Sequence, residues 1–141
     1  MNLRRRLLIT VLLLPWGAAT GAEWVVVSWS VDDKLETLVD VSSIRITGGV
    51  RRAWSKFDYA PQTRRGADHN ASKWIDYSVS RYAFNCAEEL SRLEALTQYF
   101  EDGTNDSVPA TLLPLPWEAV LPETLQDYTM KYVCEWKPEA G

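Results

Sequence analysis

ELSRLEALTQYF, residues 89–100, decides the fold, because it reads equally as a helix or as a strand. Leu90, Leu93 and Leu96 recur at helical spacing, and Phe100 continues the stripe from Leu96. Leu93, Ala95, Thr97 and Tyr99 instead share one face of a strand. Leu, Glu, Ala, Arg and Gln are good helix formers, so propensity alone slightly favours the helix.

The flanking segments are less ambiguous. Upstream, Trp24 to Val31 (WVVVSWSV) is β-branched and aromatic and reads as a strand. Asp32–Asp33 is a turn, Leu35 to Val41 a second strand, and Ile44 to Thr47 a short extension after the Ser42–Ser43 interruption. Gly48–Gly49 signals a hairpin. Val50 to Tyr59 is a third strand. Val50, Arg52, Trp54, Lys56 and Asp58 lie on one face, and Arg51, Ala53, Ser55, Phe57 and Tyr59 on the other. Neither face is cleanly apolar, so the core-facing side stays open. Pro61 to Ala71 is a polar loop. Trp74 to Cys86 is a long strand with Trp74, Ser78, Tyr82, Phe84 and Cys86 on one face.

Downstream, Glu101 to Ser107 reads as a turn, and Pro109, Pro114 and Pro116 make the next stretch irregular or an edge. Thr124 with Asp127 three residues on resembles a capping box. Leu125, Tyr128, Thr129, Tyr132 and Val133 then recur at helical spacing, so a helix is expected from Leu125 to Cys134. Glu135 to Gly141 reads as a frayed tail. The expected class is α+β: a meander of about six antiparallel strands with one C-terminal helix packed on it.

The N-terminus reads as an export signal, residues 1–22. Arg4, Arg5 and Arg6 precede an apolar run from Leu7 to Leu14 that only Thr10 interrupts. Pro15 and Gly17 follow, and Thr20 and Ala22 are the small residues a signal peptidase needs before Glu23. The run is shorter than the roughly 20 residues of a spanning helix. No Cys follows it, which argues against a lipid anchor and for a periplasmic domain, with secretion or surface display as alternatives. Cleavage would take three Arg and leave 12 basic against 19 acidic residues, a net charge of −7. That balance argues against nucleic acid as a partner. The domain proper is expected over residues 23–134, and the seven Trp and six Tyr of the chain favour a β-rich aromatic core.

Cys86 and Cys134 are the two cysteines. An even count in an oxidising compartment reads as one disulfide, with two free thiols or a metal pair as the alternatives. A bond would staple the helix end to the strand end. Closing a 48-residue separation corresponds to roughly 4 kcal/mol in the chain-entropy picture.

Catalytic chemistry is hard to place. His69, the one histidine, lies in the polar loop, with Asp68 and Asn70 beside it but no further metal ligands. No nucleophile elbow, phosphate loop or dinucleotide fingerprint occurs. Asp32–Asp33, Glu88–Glu89 and Glu101–Asp102 are paired acids of turns and strand ends. Asn70-Ala71-Ser72 and Asn105-Asp106-Ser107 match the glycosylation acceptor pattern, which matters only in a eukaryotic host. No catalytic residue, cofactor or metal is therefore expected. Charge is distributed unevenly: residues 45–73 carry seven basic and two acidic residues, whereas residues 88–127 carry nine acids and only Arg92. Arg51, Arg52, Arg64, Arg65 and Lys73 form a candidate basic patch for a protein or an anionic polymer such as glycosaminoglycan, lipid headgroup or lipopolysaccharide.

From Trp24 to Cys134 the order of features resembles the surface-adhesin protein E family. The residues that carry it are Leu38-Val39-Asp40-Val41-Ser42-Ser43-Ile44, Arg52-Ala53-Trp54 with Asp58-Tyr59, and the long Ser-containing strand from Ser80 to Cys86. Trp117, Val120 and Pro122, then Lys131-Tyr132-Val133-Cys134, complete it. Asn85 stands where Asp is usual. The resemblance implies a Cys86–Cys134 disulfide between sheet and helix, a strand rather than a helix at Glu89 to Phe100, and a non-enzymatic binding module. It also implies that a homodimer can form. It identifies no binding residues.

Overall fold

The computed structural model describes residues 21–61 and 72–139. Residues 1–20 of the proposed leader and residues 62–71 of the polar loop, with Arg64, Arg65 and His69, lie outside the described residues. Among the described residues eight antiparallel strands form one sheet: β1 (Trp24–Trp29), β2 (Leu35–Asp40), β3 (Arg45–Thr47), β4 (Val50–Tyr59), β5 (Ile75–Asn85), β6 (Leu90–Phe100), β7 (Asn105–Ser107) and β8 (Glu118–Ala119). Six of them run in the order β1-β2-β4-β5-β6-β7, while β3 pairs with β4 and β8 with β6. The C-terminal helix α1 spans Leu125–Glu135.

Residues 89–100 are therefore strand, and the propensity reading of a helix is overturned. β6 pairs with β5 from Leu90 to Phe100 and takes β7 and β8 on its other side. Propensity is worth only tenths of a kcal/mol per residue, and two ladders of backbone hydrogen bonds outweigh it. The register also splits the face expected for this segment. Tyr82 opposes Leu93 but Arg81 opposes Ala95, so Glu94 is an extra, bulged residue. Ala95, Thr97 and Tyr99 consequently share one face, and Leu93 lies on the other. Two smaller differences concern the ends of strands. β1 stops at Trp29 rather than Val31, and Asn105–Ser107, expected in a turn, adds a short strand to β6.

The hairpin between β3 and β4 closes as Gly48–Gly49 suggests. Thr47 pairs with Val50, and Gly48 takes a φ of 60°, a left-handed value that a two-residue hairpin asks of its first central residue.

The helix settles which face of β4 meets the core. Val39, Ala53 and Phe84 of the sheet, with Ile44 just before β3, pack against Met130 and Val133 of α1. Ala53 and Ser55, both 2% exposed, are small enough to let the helix come close. The face with Arg51, Ala53, Ser55, Phe57 and Tyr59 is thus the inner one. Ser28, Thr37, Ser78 and Ser80 continue this small, buried floor on neighbouring strands. Cys86 and Cys134 are bonded, Cα to Cα 5.8 Å, which joins the end of α1 to the residue after β5. A cluster of this size is a small core, so a covalent staple carries a large share of the stability.

Both ends of α1 are closed by side chains. Thr124 Oγ1 accepts from the Asp127 amide at 3.2 Å. The Asp127 carboxylate reaches one residue past the expected capping box and accepts from the Glu123 amide at 2.9 Å. Its Oδ2 also takes Lys131 Nζ at 2.8 Å, one turn on. At the other end Trp136, expected in a loose tail, packs against the core cluster.

Candidate functional site

The sheet face turned away from α1 carries the densest polar arrangement of the described residues. Alternation sends Arg52, Trp54 and Lys56 of β4 there, beside Tyr77, Val79 and Arg81 of β5. Arg92 and Tyr99 follow on β6. At the centre is Glu94, whose side chain is 8% exposed. The bulge aims this carboxylate onto the face in addition to Ala95, the residue that opposes Arg81.

Three guanidiniums converge on Glu94. Arg52 Nε lies 3.2 Å from both of its oxygens, Arg81 Nε lies 3.2 Å from Oε2, and Arg92 Nη2 lies 3.3 Å from Oε1. Their side chains are 32%, 45% and 26% exposed. One carboxylate among three guanidiniums leaves a local charge of +2. Aromatic rings brace the cations. Arg81 lies 5.7 Å from the centre of the Trp54 ring and Arg92 lies 4.7 Å from that of Trp117, whose loop β8 attaches to β6. Lys56 sits 4.5 Å over Tyr77, which stacks on Tyr99 at 4.5 Å. Such contacts hold long cationic side chains in place at reduced entropic cost.

Shallow hollows flank this cluster. One of about 490 Å³ lies beside Arg81 and Glu94 and is walled by Val108, Ala110 and Leu113. Another of about 240 Å³ has Arg45, Arg52, Trp54 and Arg81 on its rim. Neither is enclosed. Among the described residues no group of three or more His, Cys, Asp or Glu is arranged to hold a metal ion.

Part of the basic patch expected from sequence is dispersed. Arg51 and Arg52 are adjacent and therefore point to opposite faces; Arg51 donates to the Val133 carbonyl at 3.0 Å and to the Trp136 carbonyl, on the helix side. Lys73 lies 3.1 Å from Asp102 and donates to Thr104, at the far end of β6. Hydrogen bonds from the Thr104 hydroxyl and amide, together with Lys73, hold the Asp102 carboxyl down at about 2. Of the described patch residues only Arg52 belongs to the cluster on Glu94. Arg81, Arg92 and Glu94 were missed because Arg81 lies between the basic and acidic segments and the other two lie within the acidic one. The alternation of β5 could have flagged Arg81, but Glu94 depended on an unforeseen bulge.

Residues 24–135 match the family model for surface-adhesin protein E. The chain belongs to the surface-adhesin protein E family. No curated protein and no solved structure matches it. The match spans every strand and the helix, and both cysteines of the disulfide fall inside it. The family is one of adhesins, and an adhesin works through a surface. Among the described residues no helix is long and apolar enough to cross a membrane.

Proposed function

We propose that this protein is an exported, non-enzymatic binding domain that engages its target through the sheet face opposite α1. The observation that carries the reading is the convergence of Arg52, Arg81 and Arg92 on Glu94, with Trp54 and Trp117 against two of the guanidiniums. Three partly exposed cations held by one nearly buried acid form a preorganised, net positive surface on an acidic protein. Binding loses less entropy when such side chains are already held. The leader read at residues 1–22 supports export, and the absence of a Cys after it favours a periplasmic or secreted form over a lipid-anchored one.

The reading is tested by adding purified protein to fixed host cells and to bacterial envelopes. Arg81→Ala combined with Trp54→Ala is expected to abolish adhesion while leaving the unfolding midpoint within a few degrees. Adhesion unchanged in the double variant would sink it. Turnover of a hydrolase substrate panel that the same variant abolished would equally overturn the non-enzymatic reading.

A second reading has its own observation. β1 is an edge strand, and Trp24, Val26 and Trp29 along it are 37%, 36% and 57% exposed. An envelope protein that added a strand there would make this a structural envelope component. Crosslinking from position 26 in intact cells distinguishes it, since only this reading expects an envelope protein to be trapped there.

A further inference from the structure

We infer that the bond between Ala22 and Glu23 is a maturation site, and that cutting it creates an ion pair between the new α-ammonium of Glu23 and the carboxylate of Asp40. Neither group belongs to the proposed binding face, so the two proposals stand or fall separately. The pair follows from the leader read at residues 1–22 and from what the fold places where that leader ends.

Gly21, Ala22 and Glu23 are exposed, so the bond is open to a peptidase. Among the described residues, hydrogen bonding to the sheet begins at Glu23. Its carbonyl accepts from the Val41 amide at 2.8 Å, which extends the β1–β2 ladder by one residue. Its amide donates to Asp40 Oδ1 at 2.9 Å.

Asp40 is the unusual group. It is 8% exposed. Its Oδ1 also accepts from the Ser42 amide at 3.0 Å and the Ser42 hydroxyl at 2.6 Å. Ser43 donates to the Asp40 carbonyl at 2.6 Å and accepts from the Trp54 amide at 2.9 Å, which ties this turn to β4. In the uncut chain all three donors to the carboxylate are neutral. None of the described lysines and arginines forms an ion pair with it. Glu94 and Asp127 are similarly buried, and each has its cation. A carboxylate taken out of water is costly when no cation faces it.

The cut supplies that cation. Hydrolysis adds water across the peptide bond: the hydroxyl joins the Ala22 carbonyl carbon, the C–N bond breaks, and the Glu23 nitrogen leaves as an amine. An α-amine has an ordinary pKa of about 8, so it takes a proton at neutral pH. The nitrogen already lies 2.9 Å from Asp40 Oδ1, and a neutral hydrogen bond becomes a charge-assisted one with no movement of the chain. A cut at any other bond leaves this nitrogen an amide and Asp40 without its cation. The domain therefore reaches full stability only after the leader has gone.

The test begins with the full chain, expressed with its leader in a bacterial host and recovered from the envelope fraction. Its intact mass is expected to place the first residue at Glu23. Thermal unfolding is then compared for three forms: the processed protein, the same protein selectively acetylated at its α-amine, and a form that retains Gly21-Ala22. The processed protein should melt about 3–8 °C above the other two, the difference between a charge-assisted and a neutral hydrogen bond. With Asp40→Asn all three forms should melt together. The acetylated form keeps Asp40, so the comparison holds even where Asp40→Asn does not fold. Processing at another bond, or none, would overturn the maturation site. Equal melting of the three forms, or a gap that persists in Asp40→Asn, would overturn the ion pair.

Discussion

Arg51 closes the C-terminus of the helix: its Nη1 donates to the Val133 carbonyl at 3.0 Å, across 82 residues of sequence. The same guanidinium takes the Trp136 carbonyl. The last carbonyls of a helix have no intrahelical partner, and a cation there also faces the negative end of the helix dipole. Arg51 therefore ties β4 to α1, whereas Arg52, one residue on, serves the opposite face.

The two neighbours should separate in experiment. Arg51→Ala is expected to cost about 2 kcal/mol of stability, the range of hydrogen bonds to a charged group. Arg52→Ala should cost much less, because its partner Glu94 keeps two other arginines. Urea unfolding of the two variants checks this. Equal losses would show that Arg51 does not hold the helix.

The disulfide should behave as a single coupled unit. Cys86→Ser and Cys134→Ser are each expected to destabilise the domain by about 2–5 kcal/mol, and the double variant should add little. Additive losses in a double-mutant cycle would contradict the bond between them.

Buried hydroxyls under the helix should be replaceable at a gain. Thr37 Oγ1 and Ser55 Oγ are buried without a hydrogen-bond partner among the described residues. Thr37 is 0% exposed. Thr37→Val keeps the shape and removes the unmet polar group, so a gain of about 1 kcal/mol is expected by urea unfolding. A loss would mean that the hydroxyl has a partner in solution.

Acid should destabilise the fold in a defined window. Asp102 is held at about 2 against an ordinary 3.8, by its hydrogen bonds from Thr104 and by Lys73. Asp127 is lowered first by Lys131 and then by the Glu123 amide. For an acid with a depressed folded pKa, the linked stability is complete above the unfolded value. It is lost as pH falls through the folded one. Thermal unfolding midpoints are thus expected to be level down to about pH 5 and to drop between about pH 4 and pH 2. Asp102→Asn should flatten part of that drop. An unchanged acid profile in this variant would remove Asp102 from the account.

Much of the fold was legible because it is local. β-Branched and aromatic runs marked β1, β2, β4 and β5, Gly48–Gly49 marked a hairpin, and Thr124 marked the helix start. Each depends on neighbours in the chain. Residues 89–100 were not legible in this way, because their helix-forming composition competes with strand pairing that only distant segments supply. The resemblance to the family pointed to a strand where propensity did not.

The candidate site was much less legible. Charge counting separated a basic from an acidic half of the sequence. Folding instead joins Arg52 of the first to Glu94 and Arg92 of the second. It also splits Arg51 from Arg52, because adjacent residues of a strand face opposite ways.

By itself the sequence determined the class of fold, the order of most strands, the capped C-terminal helix and the pair of cysteines available to staple it. All of these follow from periodicity, capping and composition within short windows. Only the tertiary structure decided where β6 is bulged, which face of β4 is inner, and that Glu94 gathers three arginines. Register, bulge and the approach of α1 are set by contacts between segments far apart in the chain, and no local pattern of residues encodes them.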